Sequence, residues 1–262
     1  VQHLVAHVLD VPQNAIEVVT RRMGGGFGGK ETDSSQLACV CAIFANQTKL
    51  PIKARLSRKD DILMTGKRHD FKANYKVGYD DDGRILGIEV DLAARCGYSL
   101  DLSKAIVSRA LFHADNAYFL PNATFRGFLC KTNTASNTAF RGFGGPQGML
   151  AIENIIEEIA MNIGVDPLEI RQLNYYQKET NNVTPYDQVV EDNIVNELTT
   201  ELIEDSQYLA RRESIKNFNK NNTYLKKGLA FSPVKFGISF TTQLLNQAGA
   251  LVNIYKDGSI YI

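Results

Sequence analysis

The amino-acid sequence predicts an α+β fold, with mixed sheets and helices packed against them. Helix-like and strand-like stretches alternate without the steady strand–helix rhythm of a doubly wound sheet. Two Asp-Gly turns, Asp80-Asp-Asp-Gly83 and Asp257-Gly258, each sit between strand-like runs, as hairpins require. A long helix starts at Pro146, with Met149, Ile152, Ile155, Ile156 and Ile159 on one face and Glu157 and Glu158 outside.

Taken in order, Val1 to Leu9 is a short amphipathic helix. His3 and His7 share one of its faces, but a zinc-protease helix needs Glu after the first His and Leu4 stands there. They are read as surface histidines. Pro12-Gln-Asn14 turns the chain into a strand from Ile16 to Thr20, which runs into the glycine-rich stretch Arg21 to Thr32. A helix from Ser34 to Ala45 and a strand from Ile52 to Leu56 follow. Phe71 to Tyr79 and Arg84 to Ala94 are the strands of the first hairpin. Ser103 to His113 is a helix with Ile106, Val107, Ala110 and Leu111 on one side. Arg109 lies among them, and position alone makes it an edge residue with a buried stem. Ala123 to Lys131 is a strand, and Ser136 to Gly148 is a second glycine loop. Asp166-Pro167 caps a helix from Leu168 to about Tyr175. Gln177 to Asp192 is loop, then Ile194 to Glu204 and Gln207 to Asn219 are helices, with a linker at Asn217 to Asn222. Lys227 to Ser239, Gly249 to Tyr255 and Ser259 onward read as strands.

The 262 residues suffice for one large or two medium domains with real cores. Lys+Arg and Asp+Glu are both 29, and this zero balance argues against a nucleic-acid partner. No apolar run approaches the length of a membrane-spanning helix. Cys39, Cys41, Cys96 and Cys130 lack CxxC pairing and read as buried thiols rather than a metal site. The chain begins at Val1 without methionine and stops at Ile262 inside a strand-like run, so it reads as an internal piece of a longer protein.

Chemistry concentrates in the two glycine loops. Glycine is costly to order, so a cluster implies backbone pressed close to a ligand or φ angles that other residues cannot reach. Gly24, Gly26 and Gly29 satisfy dinucleotide spacing, but the next strand-like run carries Lys53 and Arg55 where an acid should hold a ribose. Gly24 to Lys30 matches most of a phosphate loop, but Glu31 stands where a hydroxyl should bind magnesium. The second loop has the same build, with Phe143 between glycines and Arg141 nearby.

These loops and the segments between them resemble the molybdenum hydroxylases. The matching motifs are Arg22-Met-Gly-Gly-Gly-Phe-Gly-Gly-Lys-Glu-Thr32, Thr65-Gly-Lys-Arg-His69, Tyr75-Lys-Val-Gly78, Arg109-Ala-Leu-Phe-His113 and Cys130-Lys-Thr-Asn133. Ser136 through Met149 matches too, as does Lys235-Phe-Gly-Ile-Ser-Phe-Thr241 with Asn246-Gln-Ala-Gly-Ala-Leu251. Asp33 and Asp70 depart from the pattern, which has Arg and Pro there. The resemblance implies a partial molybdopterin-binding domain: residues 1–222 as a first subdomain, 223–262 as the truncated start of a second. Phe27 and Arg141 would approach the molybdenum through their backbone amides, with Gly26, Gly28 and Gly142 holding the cofactor. Glu31 and Arg109 would grip a purine, and Phe143 would stack on its ring. The implied reaction takes hypoxanthine to xanthine to urate, with electrons leaving through 2Fe-2S clusters and FAD to NAD or oxygen. Those carriers would lie before Val1 and the general base beyond Ile262, so the piece alone is expected to be inactive. A homodimeric parent in the cytoplasm or peroxisome, with neither nucleic-acid nor membrane partner, is implied as well. The aldehyde-oxidising branch characteristically lacks the acid and the arginine at the positions of Glu31 and Arg109; it and a non-catalytic binding module are the alternatives.

Overall fold

The computed structural model describes residues 1–241, 244 and 246–262. Its centre is a three-stranded sheet in the order β1 (Phe71–Tyr79), β2 (Ile85–Gly97), β3 (Ala123–Lys131). The β1–β2 pair is antiparallel and is joined by the Asp80–Gly83 turn. There the Asp80 carboxylate accepts the Arg84 amide at 2.8 Å, and Gly83 takes a φ of 91°. The β2–β3 pair is parallel, with α4 (Ser103–Phe112) in the crossover. Mixed pairing of this kind is the predicted α+β class.

The core forms where α5 (Gly145–Ile163) lies on the sheet. Ile85, Ile88, Val90 and Leu92 of β2 meet Ile152, Ile155, Ile156 and Ile159 of α5, the face that the helical period picks out. Tyr118 and Tyr175 stack beside them with centroids 5.9 Å apart. Next, α6 (Pro167–Asn174) starts with a reciprocal cap: Asp166 accepts the Leu168 amide, and Glu169 accepts the Asp166 amide. The helices α4 and α5 cross almost backbone to backbone. A Cβ on Gly144 or Gly148 would stand 2.0 or 2.1 Å from the carbonyl oxygens of Ile106 and Ala110. This close crossing sets α4, and Arg109 with it, beside the second glycine loop.

The remaining α-helices among the described residues are α1 (Gln2–Leu9), α2 (Ser34–Thr48), α3 (Arg58–Met64), α7 (Val195–Asp205) and α8 (Tyr208–Asn221). The sequence reading omits α3, although Ser57 caps it by accepting the Asp60 amide at 3.2 Å. Ile16 to Thr20 and Ile52 to Leu56 are not strands. β-branched residues favour extended backbone, but a strand needs a partner ladder, and the sheet order leaves these segments out. The expected linker at Asn217 to Asn222 is the last turn of α8. Lys227 to Ser239 joins no sheet, and the C-terminal hairpin is cut down to β4 (Asn253–Ile254) and β5 (Ile260–Tyr261) around the Asp257-Gly258 turn. Of the four cysteines, Cys96 is buried while Cys130 is exposed, against the expectation of four buried thiols.

Candidate functional site

The two glycine loops make the same turn twice. Phe27 and Phe143 have φ of 49° and 50°, and the glycines after them, Gly28 and Gly144, have 95° and 99°. Positive φ at a bulky residue persists only where the surroundings hold it. Each turn leads towards a helix, α2 or α5. Far apart in sequence, the turns close on each other: the Arg141 amide donates to the Phe27 carbonyl at 2.9 Å. Arg68 grips the second turn from its side chain. Its Nη2 donates to the Arg141 carbonyl at 2.5 Å, and its guanidinium lies 4.6 Å from the centre of the Phe140 ring.

The glycines of this pair divide into two groups. Gly28 and Gly142 both have φ of 95°, and a Cβ would meet the Ala139 backbone at 2.8 Å or the Pro146 ring at 2.5 Å. The protein's own packing requires glycine there. Gly24, Gly26 and Gly29 have no positive φ. A Cβ on Gly24 would meet nothing within 4 Å, and one on Gly26 or Gly29 only an atom at 3.9 Å. The fold makes no demand for glycine at these three, yet bare backbone facing open space suits a group that lies against the main chain. The closing of the two turns gives the Arg141 N–H a partner in the Phe27 carbonyl.

Arg109 is 5% exposed and is not an edge residue. Its guanidinium donates to the carbonyls of Gly237 and Ser239 and lies 6.0 Å from the ring centre of Phe143 and 5.5 Å from that of Phe236. Its Nε–H is buried without a partner among the described residues. Burial lowers its pKa, but a guanidinium remains charged. Phe143 packs on Phe240 with centroids 5.5 Å apart at an interplanar angle of 44°. Thr241 Oγ1 is likewise buried and unpartnered among the described residues. Arg109, Phe240 and Thr241 line a cavity of about 920 Å³ together with His113, Tyr186 and Lys235.

Glu31 stands apart from this cavity wall. It is exposed on the first loop, its amide bonded to the Gly28 carbonyl at 3.1 Å. Partial burial, and then the charge of Asp101, raise its pKa. Asp101 is itself held by the hydroxyls of Thr32 and Thr138. Among the described residues Glu31 makes no hydrogen bond to Arg109. The structure thus brings Arg109 and Phe143 together and leaves Glu31 outside their contact. Phe240 and Thr241 carry no role in the sequence reading, although they close the motif Lys235–Thr241; only the fold shows that this segment passes Arg109.

The chain belongs to the molybdopterin cofactor-binding domain family, which matches residues 1–175 and, through a second domain of the same description, residues 201–262. It is 47% identical over 261 residues to the xanthine dehydrogenase/oxidase of Rattus norvegicus, covering 100% of this chain and 20% of that protein. It is 43% identical over 263 residues to a nicotinate hydroxylase of Emericella nidulans, covering 100% of this chain and 19% of that one. Among solved structures, the aldehyde oxidoreductase from Desulfovibrio gigas superposes with a TM-score of 0.69 at 27% identity, over 85% of this chain and 24% of that one. The chain therefore spans about a fifth of the curated relatives it matches. The cofactor of this family is molybdenum bound to molybdopterin, and the bare backbone at Gly24 leaves open space in which such a group would fit.

Proposed function

We propose that this chain is the substrate-facing part of a purine-oxidising molybdenum hydroxylase, acting on hypoxanthine and xanthine. In this reading residues 1–222 form the first cofactor-binding subdomain and 223–262 begin the second. The molybdenum–molybdopterin group, when bound, supplies the oxygen that is transferred and takes up two electrons. FAD and 2Fe-2S clusters elsewhere in a full-length, homodimeric protein would pass these electrons to NAD or oxygen.

The observation that carries the reading is the buried Arg109, whose Nε–H has no partner among the described residues, set 6.0 Å from the centre of the Phe143 ring. A buried cation with a spare donor calls for a ligand with acceptors, because an unsatisfied polar group in such a place is costly. The two phenylalanines, Phe143 and Phe240, offer faces for a flat ring. Attack on a ring carbon drives negative charge onto a heterocycle, and Arg109 would stabilise that charge where it develops. Glu31, held towards the protonated form by burial and by Asp101, would donate or accept at the purine edge. The nicotinate hydroxylase relative shows why similarity alone does not choose the heterocycle.

In a full-length protein carrying this chain, Glu31→Val with Arg109→Met is expected to lower kcat/KM for xanthine by about 10²-fold or more, since polar sites reject substrates that leave them unpaired. Small aldehydes should lose far less. An unchanged kcat/KM for xanthine removes the purine assignment and leaves the cofactor assignment standing.

A further inference from the structure

The segment Pro233–Ser239 has one edge that is bonded without any neighbouring strand among the described residues. Its bonds go to side chains from α4 and the turn after it. Asn116 Nδ2 donates to the Pro233 carbonyl at 2.9 Å, and Asn116 Oδ1 accepts the Lys235 amide at 3.1 Å. His113 Nε2 accepts the Gly237 amide at 3.0 Å. Arg109 donates to the carbonyls of Gly237 and Ser239. The backbone groups used belong to residues 233, 235, 237 and 239, every second residue, which is the period of one edge of an extended chain. Arg109 lies in the last turn of α4, His113 caps that helix, and Asn116, with a φ of 42°, sits in the turn beyond it. The C-terminal end of α4 and the turn after it therefore stand in for a strand. An ion pair fastens the middle of the segment: Lys235 Nζ lies 3.0 Å from the buried Asp115, which also accepts from Tyr176 OH at 2.7 Å.

The ladder sets the tautomer of His113. A backbone N–H can only donate, so Nε2 must accept, and Nδ1 carries the proton that it gives to the Arg109 carbonyl at 2.9 Å. The imidazole has to be neutral for both bonds to stand. Burial keeps it so, as do the facing charges of Arg109 and Lys235. The ring also packs on Phe236, with centroids 4.7 Å apart.

We propose that His113 and Asn116 are positioning residues that set substrate selectivity. They hold the 233–239 segment along α4, and this fixes both the guanidinium of Arg109, tied to Gly237 and Ser239, and the ring of Phe240 that follows them. The proposal rests on the reading of Arg109 as a substrate-facing group. Without the rungs at 113 and 116, the segment keeps the Lys235 anchor but loses its register beside Arg109. The purine-facing donor then wanders while the glycine loops stay in place.

The test compares His113→Phe, which keeps the ring packing and removes both bonds, with His113→Gln, whose amide can accept from Gly237. Both are made in a full-length, metal-loaded protein and assayed with xanthine and with a small aldehyde. His113→Phe is expected to raise KM for xanthine more than it lowers kcat, and to lower kcat/KM for xanthine about tenfold more than for the aldehyde, a factor of about 1.4 kcal/mol. His113→Gln should recover most of that difference. Equal losses on both substrates, or no rescue by glutamine, overturn the proposal. If His113→Phe is recovered without molybdenum, Asn116→Ala takes its place: a shift towards the aldehyde supports the proposal, and wild-type selectivity overturns it. Arg109→Met is run alongside. If it spares xanthine turnover, the purine reading fails and takes this inference with it. If it impairs turnover while metal-loaded His113→Phe does not, the positioning role alone falls.

Discussion

Glycine in the first loop serves two separate ends, and single residues tell them apart. Gly28 is glycine because its φ is 95° and because Ala139 backbone fills the place of a Cβ. Gly26 has neither constraint, its nearest would-be contact being Lys30 at 3.9 Å. Gly28→Ala is therefore expected to lower the melting temperature of the full-length protein whether or not cofactor is bound. Gly26→Ala should leave melting of the cofactor-free protein unchanged or slightly raised, through lower entropy of the unfolded chain, while molybdenum content falls. Metal analysis and calorimetry of the two variants check this; full metal loading in Gly26→Ala would show that the open face is not the cofactor's.

At the scale of elements, the site depends on how α5 and α6 are anchored. Asp166 caps α6, accepts from Tyr208 OH at 2.9 Å and pairs with Arg212 Nε at 2.7 Å, so one carboxylate joins α6 to α8. Asp166→Ala is expected to cost about 1–2 kcal/mol, the usual worth of a lost cap. Faster amide exchange in the first turn of α6 and along α8 would report it, and exchange confined to α6 would deny the link to α8. Ile156 is fully buried between helix and sheet. Ile156→Ala should cost about 2–5 kcal/mol and loosen the α4–α5 crossing that places Arg109. The capping motif and the period of α5 are local patterns, and both are legible in the sequence. The absence of strands at Ile16–Thr20 and Ile52–Leu56 is not, because it depends on which partners reach the sheet.

For the whole molecule, two buried histidines set a pH dependence. Burial lowers the pKa of His69, whose Nε2 meets Ser103 Oγ at 2.7 Å, and of His113. A neutral buried histidine takes up its proton more readily when unfolded, so the unfolded state binds more protons between the lowered pKa and the ordinary value of about 6.5. Stability from these groups is full above about pH 6.5 and is lost as the pH falls towards the lowered values. The denaturation midpoint should therefore drop between pH 7.5 and 5.5, with a smaller drop in His113→Gln. Equal slopes for the two proteins would show that His113 does not contribute.

Composition and motif spacing, read on their own, determined the α+β class, the helix faces, the hairpin turns and the family resemblance, because each rests on local chemistry or on residues close in sequence. They also marked both glycine loops, since five glycines in twelve residues need a reason wherever they fall. The tertiary structure decided which glycines serve packing and which stay bare, because only a neighbour's position shows what a Cβ would meet. It tied the Arg141 amide to the Phe27 carbonyl, and it moved Arg109 from a helix edge to a buried place beside Phe143. It also turned the expected strand at Lys227–Ser239 into a segment bonded by Arg109, His113 and Asn116. Those pairings cross more than a hundred residues of chain. No local propensity encodes contacts at that distance; they arise when α4 and α5 close over the sheet.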